Sequence, residues 1–184
     1  MNYLQIDYED VCNGEGMRVT LWLSGCSHRC RGCHNPQTWN PCGGSVFDAK
    51  AKQKLFDELA KSYVSGITLT GGDPLYENNL PEVLSLIKEI RSTFPQKNIW
   101  LYTGFTWEGI MHPVITGDFN PERDLTMGLR KQVVHNIDIL VDGKYEENER
   151  DLSLAFRGSR NQRIIDLKKT FSQGQVVLYN PNIL

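Results

Sequence analysis

The sequence comprises 184 residues, of which 40% are hydrophobic and 23% are charged, and its formal net charge is -2. This composition excludes an intrinsically disordered chain, and the small net charge gives no electrostatic footprint for nucleic acid or an anionic membrane. No apolar run approaches the roughly 20 residues that a membrane span needs. Residues 1–10 are acidic and lack the basic and apolar regions of a secretory signal. We therefore expect one cytoplasmic domain, residues 1–184, with reduced thiols and neither membrane nor nucleic-acid partners.

Three of the five cysteines fall in one short loop, residues 26–33, with the spacing C-x3-C-x2-C. These three residues are Cys26, Cys30 and Cys33. Thiolates suit iron–sulfur clusters, zinc and copper(I), and three cysteines on a four-iron cluster leave one iron open. The alternative is a structural zinc site completed by His28 or His34. Zinc loops usually come as two separated C-x2-C pairs, so the spacing favours the cluster.

The other two cysteines, Cys12 and Cys42, stand apart from this loop in the sequence. Each is interpreted as a small buried or semi-exposed residue.

Strands and helices alternate from residue 19 onward. The periodicity predicts strands at 19–23, 67–70, 98–102 and 137–141, and short closing strands at 164–167 and 176–179. It predicts helices at 48–63, 80–94 and 125–134. Residues 1–18 are predicted to be a polar, glycine-rich stretch with a turn, 117–121 a surface loop, and 144–163 irregular. Alternation of this kind predicts an α/β fold with a parallel sheet that is too short for an eight-fold barrel.

The cysteine loop and the sequence Gly71-Gly72-Asp73 each follow a predicted strand. The carboxyl ends of parallel strands meet at one edge of a sheet, where α/β proteins place their sites. The two features are therefore predicted to lie together.

Seven segments of the chain together resemble one known family. They are residues 11–18, 24–33, 35–39, 69–75, 99–104, 139–144 and 157–162. The cysteine loop resembles the cluster loop of the radical S-adenosylmethionine superfamily. The Asn-Gly-x-Gly start, the Trp-Leu-Tyr-Thr-Gly strand end and the Arg-Gly-Ser-x-Asn-Gln segment resemble the glycyl-radical activating enzymes of anaerobic ribonucleoside-triphosphate reductase. The resemblance covers most of residues 1–167 and leaves 168–184 as a C-terminal extension.

The resemblance implies a partial, open (β/α)6-type radical SAM barrel with mostly parallel strands, and it implies a set of site residues. The ligands of one [4Fe-4S] cluster would be Cys26, Cys30 and Cys33. The residues along bound S-adenosylmethionine near its adenine would be Gly32, Cys33 and His34. The methionyl amino group would meet Gly71, Gly72 and Asp73, and the methionyl carboxylate Asp142 and Lys144. Many superfamily members carry an aromatic residue where this chain has Gly32.

The activity implied by the resemblance is reductive cleavage of S-adenosylmethionine to methionine and a 5′-deoxyadenosyl radical. That radical would remove a hydrogen from a backbone glycine of the large reductase subunit, and an external one-electron donor such as flavodoxin would supply the electron. We expect residues 144–163 or the loop 113–122 to contribute to the reductase interface. Two alternatives remain open: a small-molecule radical enzyme resembling deazaguanine-forming synthases, and a zinc-stabilised binding module without activity.

Overall fold

The computed structural model of the protein describes residues 1–114 and 120–181. The strands are β1 (Asn2–Asp10), β2 (Arg18–Leu23), β3 (Ser45–Val46), β4 (Gly66–Gly71), β5 (Asn98–Tyr102), β6 (Ile139–Asp142) and β7 (Arg163–Asp166). The helices are α1 (Ala49–Leu59), α2 (Leu80–Thr93), α3 (Trp107–Met111), α4 (Pro121–His135) and α5 (Leu167–Gln173).

The strands form one open sheet with the order β3-β1-β2-β4-β5-β6-β7. Strands β2, β4, β5 and β6 are parallel to one another. Strand β1 is antiparallel to β2, and β3 is antiparallel to β1, so β3 points the same way as β2. Strand β7 is antiparallel to β6. The sheet is thus mostly parallel, which confirms the predicted α/β class. Its edges, β3 and β7, are not joined into a closed barrel in the part of the chain that is described.

The two faces of the sheet differ in chemistry because side chains alternate along each strand. On one face, buried aliphatic residues of the central strands pack against apolar residues of all five described helices. The strand residues of this core are Val19, Leu21, Leu23, Ile67, Leu69, Ile99, Leu101, Leu140 and Ile165. The other face carries a separate small cluster around Trp100 and buried threonines, Thr20 and Thr68. The face that the helices α1–α5 leave uncovered is therefore the more polar one.

A buried arginine closes the amino end of this polar face. The Arg18 guanidinium donates hydrogen bonds to Thr68 Oγ1 at 2.8 Å and to the Asn98 side-chain oxygen at 2.7 Å, and it lies 5.3 Å from the Trp100 ring centroid. Burial lowers the pKa of Arg18 to about 10, so the side chain stays charged at neutral pH. A Cβ at Gly14 would lie within about 3 Å of Arg18 and Trp100. The Asn-Gly-x-Gly turn is thus required by packing.

The largest departure from the predicted elements is β1, which occupies a stretch for which the sequence predicted only a turn. Leu4, Ile6 and Tyr8 do alternate, but a register shift between Tyr3 and Gln5 interrupts the pairing with β2. Tyr3 and Ile6 consequently both pack on the core although they are three residues apart. The irregularity hides the period of two that identifies a strand.

Helix α1 begins as predicted but ends earlier. The Asp48 side chain accepts a hydrogen bond from the Ala51 N–H at 2.8 Å and caps the helix. The helix ends at Leu59 instead of Tyr63, because the Lys97 ammonium binds the carbonyls of Lys61 and Val64 and holds the chain in a turn.

Helix α4 is longer than predicted. It begins at Pro121, where Asn120 caps it by accepting from the Arg123 N–H at 2.9 Å. Of the predicted surface loop 117–121, residues 117–119 lie outside the described residues, whereas Asn120 and Pro121 form the start of α4.

The C-terminal region also differs. Helix α5 follows β7 directly, capped by Asp166, and was not predicted. The predicted strand at 176–179 is wrong: Leu178 forms a single bridge to Ile165. None of the helices in the described ranges is long and apolar enough to cross a bilayer.

Candidate iron–sulfur and cofactor site

A cavity of about 410 Å³ lies at the carboxyl ends of the parallel strands. Its walls come from the segments that follow β1, β2, β4, β5 and β6, and Cys12 is among the lining residues. The residues predicted for the site that line it are Cys26, Cys30, Cys33, His34, Gly71, Gly72 and Asp73. The expected meeting of the cysteine loop with the Gly-Gly-Asp sequence therefore occurs in the structure. Cavities of this size accommodate small organic cofactors.

The three thiols of the loop are half-buried and unpaired. Burial raises the pKa of the Cys26 and Cys30 thiols above the ordinary value. The backbone N–H of Asn35 donates to Cys33 Sγ at 3.4 Å. Thiols bind metal centres as thiolates, so loading this loop releases protons.

The arrangement of the thiols distinguishes between the two kinds of inorganic centre, zinc and an iron–sulfur cluster, that the sequence left open. In residues 1–114 and 120–181, no group of three or more His, Cys, Asp or Glu is arranged to hold a single metal ion. Thiolates on one zinc ion lie about 3.8 Å apart, given Zn–S bonds of about 2.3 Å. Ligands of a four-iron cluster bind separate irons and need not converge on one point. Three thiols on one cavity wall therefore fit an iron–sulfur cluster.

A buried hydrogen-bond network joins the cysteine loop to β4 and β5. His28 Nε2 lies 2.7 Å from Asp73 Oδ2, and since an ionised carboxylate only accepts, the ring nitrogen donates. Asp73 also accepts from the Leu75 N–H at 2.8 Å, the Thr103 hydroxyl at 2.9 Å and the Gly104 N–H at 3.0 Å. Asp73 is thus held by four donors from three segments of the chain.

The His28 ring is held sterically as well. It packs edge-on against Phe105 with 4.5 Å between ring centroids. A Cβ at Gly104 would lie 2.4 Å from the His28 ring. His28 therefore attaches the cysteine loop to the sheet. The sequence left His28 as an alternative zinc ligand, and it gave no sign of the contact with Asp73 that defines this structural role.

Gly71 and Gly72 allow the loop to approach β4 closely. Gly71 has a φ of +97°, which favours glycine. A Cβ at Gly72 would lie 2.4 Å from the Gly25 carbonyl oxygen, and the Gly72 N–H donates to the Leu23 carbonyl at 2.7 Å. These positions were predicted to meet a ligand. In the structure, the close contact between the cysteine loop and β4 by itself requires glycine there.

Three residues predicted for the site lie outside the cavity lining. Gly32 is exposed with a φ of +72°, and a Cβ there would meet Glu147. Asp142 is buried, accepts from the Trp107 N–H at 2.7 Å and pairs with Arg163. Lys144 is exposed. Asp142 thus has a structural role at the end of β6, where it holds α3 and β7 together.

A further wall of the cavity comes from residues 143–162, a segment that the sequence predicted to be irregular and to contribute to the reductase interface. The Gln162 side chain accepts from the Gly158 N–H at 2.9 Å and donates to the Gly143 carbonyl at 3.0 Å. The Asn161 amide donates to the Lys144 carbonyl at 2.8 Å. The Arg-Gly-Ser-x-Asn-Gln segment therefore folds back on the end of β6. Its polar composition alone gave no signal for this contact.

The fold and the thiol loop define an α/β protein with one iron–sulfur centre, and the family model described as a 4Fe-4S single cluster domain matches residues 12–165. The anaerobic ribonucleoside-triphosphate reductase-activating protein of Pasteurella multocida is 39% identical over 166 residues, covering 89% of this chain and 96% of the relative. The phage T4 protein of that name is 40% identical over 164 residues, covering 89% and 93%. The Escherichia coli K12 protein is 37% identical over 170 residues, covering 91% and 100%. The chain belongs to this family of reductase-activating proteins.

Proposed function

We propose that the protein activates an anaerobic ribonucleoside-triphosphate reductase by reductive cleavage of S-adenosylmethionine and generation of a glycyl radical on the reductase. The observation that carries the proposal is the loop of three free thiols lining one cavity at the carboxyl ends of β2, β4 and β5. Relatives named as anaerobic ribonucleoside-triphosphate reductase-activating proteins share 37–40% identity over about 90% of the chain. When bound, the cluster supplies an electron and S-adenosylmethionine supplies the radical chemistry.

In this proposal the protein's own residues bind the cluster and S-adenosylmethionine, orient them and shield them from water. Cys26, Cys30 and Cys33 hold one [4Fe-4S] cluster, and His28 with Asp73 fixes the loop that carries them. Cys33 and His34 would lie along the adenine side, and Gly71, Gly72 and Asp73 would lie at the methionyl amino group. Gly32, the third residue expected near the adenine, is exposed outside the cavity lining. No side chain acts as a general acid or base. We further infer that the open sheet is a partial radical SAM barrel of one domain, residues 1–184.

The proposed setting is the cytoplasm, with a one-electron donor such as flavodoxin and the large reductase subunit as partners. Residues 144–163 are the proposed part of the reductase interface, because they border the cavity and expose Leu152, whose side chain is 82% accessible. The second segment considered, 113–122, lies largely outside the described residues.

The test is anaerobic incubation of the iron-loaded protein with S-adenosylmethionine, a reductant and a class III reductase, followed by electron paramagnetic resonance. We expect a glycyl radical on the reductase that is absent with Cys30→Ala and present with Cys42→Ser, an exposed cysteine outside the loop. A colourless protein containing one zinc and no iron would contradict the proposal and support a zinc-stabilised module. Full cofactor cleavage by Cys30→Ala would contradict the ligand assignment.

A further inference from the structure

Arg157 lines the cavity with part of its hydrogen-bonding capacity unused. Its Nη1 donates to the Gln162 carbonyl at 2.9 Å, and within the described ranges this is the one hydrogen bond of the side chain. Its Nε is shielded from water and has no partner there. An arginine side chain carries a positive charge and five N–H donors. Arg157 is half-buried, and a cation on a cavity wall with one shielded N–H unused favours a counter-charge beside it.

The carboxylates that line the cavity do not supply this counter-charge. Asp73 is held by His28, Thr103 and two backbone N–H groups. Asp151 accepts from Ser153 and lies 3.7 Å from an Arg160 nitrogen. Arg157 forms no ion pair with either carboxylate. Neither carboxylate of the cavity lining pairs with Arg157, so an anionic group of a molecule bound in the cavity would find this guanidinium available.

We propose that Arg157 binds the methionyl carboxylate of S-adenosylmethionine, an inference that rests on the proposed function. The carboxylate is the one anionic group of that cofactor, whose amine and sulfonium are both cationic. A guanidinium binds a carboxylate through paired N–H donors, which fixes orientation as well as position.

The residues that the family resemblance offers for this carboxylate are less well placed. The Asp142 carboxylate is buried against Arg163 and the Trp107 N–H, and it carries the same sign of charge as the ligand group. Lys144 is exposed and does not line the cavity. Arg157 therefore replaces them as the carboxylate-binding residue.

The structure also separates the two arginines of the segment 157–162. Arg160 is exposed, donates to Glu149 at 3.2 Å and does not line the cavity. Only Arg157 of this pair lines the cavity. Arg160→Gln is thus a matched control in the same segment.

The test is anaerobic titration calorimetry of the iron-loaded protein with S-adenosylmethionine and with its decarboxylated analogue, which lacks only the carboxylate. We expect the wild type to prefer S-adenosylmethionine by about 10- to 100-fold, the range for one hydrogen bond to a charged group. Arg157→Gln should lose this preference by binding S-adenosylmethionine more weakly while its affinity for the analogue hardly changes. Arg157→Lys should keep part of the preference, and Arg160→Gln all of it.

Several results would overturn the inference. Equal affinities of the wild type for the two ligands would exclude carboxylate recognition, even if Arg157→Gln failed to fold. Retention of the wild-type preference by Arg157→Gln would assign the carboxylate to another residue. Unchanged binding of S-adenosylmethionine by Arg157→Gln with lost reductase association would assign the arginine to a carboxylate of the partner. A wild type that binds neither ligand would remove both the inference and the proposed function, whereas the other outcomes leave that function intact.

Discussion

Removal of the Asp73 carboxylate is predicted to destabilise the protein and release the cysteine loop. In Asp73→Ala, the Leu75 N–H, the Thr103 hydroxyl, the Gly104 N–H and His28 all lose their acceptor. A buried donor left without a partner costs about 1–3 kcal/mol, and water entering from the cavity can satisfy some of these donors. We therefore expect a loss of about 3–5 kcal/mol in the free energy of unfolding.

The assay is thermal unfolding of the metal-free protein under anaerobic conditions. A domain of this size loses about 2–4 °C of melting temperature per kcal/mol, so Asp73→Ala should melt about 6–20 °C lower. Asp73→Asn keeps one acceptor oxygen but places an NH2 group among hydrogen-bond donors. Its melting temperature should therefore lie between those of Asp73→Ala and the wild type. The control is Asp57→Ala, which alters an exposed carboxylate on α1.

A second readout separates a loop effect from general destabilisation. Limited proteolysis below the melting temperature should cut Asp73→Ala at Arg29 or Arg31 in the cysteine loop faster than the wild type. If Asp73→Ala melted within 2 °C of Asp57→Ala, by that scale a difference of about 1 kcal/mol or less, the network could not be what holds the loop. Unchanged cleavage of the loop would lead to the same conclusion.

Two further predictions concern the same site. Gly72→Ala places a Cβ 2.4 Å from the Gly25 carbonyl oxygen, so we expect a loss of about 1–3 kcal/mol by urea unfolding. The control is Gly128→Ala in α4, where a Cβ meets nothing within 4 Å, and it should stabilise the protein by up to about 1 kcal/mol. Equal effects of the two changes on the free energy of unfolding would contradict the close approach of Gly72 to Gly25. Alkylation requires the thiolate, so Cys26 and Cys30 of the metal-free protein should reach half their maximal rate above the ordinary pH of about 8.5. Mass spectrometry of each modified peptide at several pH values measures this, and a midpoint below pH 8 at both thiols would contradict their burial.

The parts of the fold that were predictable from the sequence have regular local patterns. Strand β5 has the predicted bounds, because an uninterrupted apolar run is buried on both faces. Helix α2 begins at Leu80 next to a proline and ends before Phe94, as its local signals indicated. Irregular pairing explains the failure at β1, where a register shift breaks the alternation.

The site was predictable where it depended on local sequence and not where it depended on distant contacts. The C-x3-C-x2-C spacing alone indicates the candidate cluster ligands Cys26, Cys30 and Cys33. The attachment of His28 to Asp73 joins residues 45 positions apart and has no local signature. The position of Arg157 on the cavity wall likewise depends on the way residues 157–162 fold back on β6.

The position of the helices on one face of the sheet affects the rate at which the protein can encounter a substrate. Since the five α-helices α1–α5 pack on a single face, a bulky substrate can reach the opposite face without any of them being displaced. Encounter with that substrate would then be governed by diffusion and by the rearrangement of residues 143–162, without the slower motions that separate packed helices.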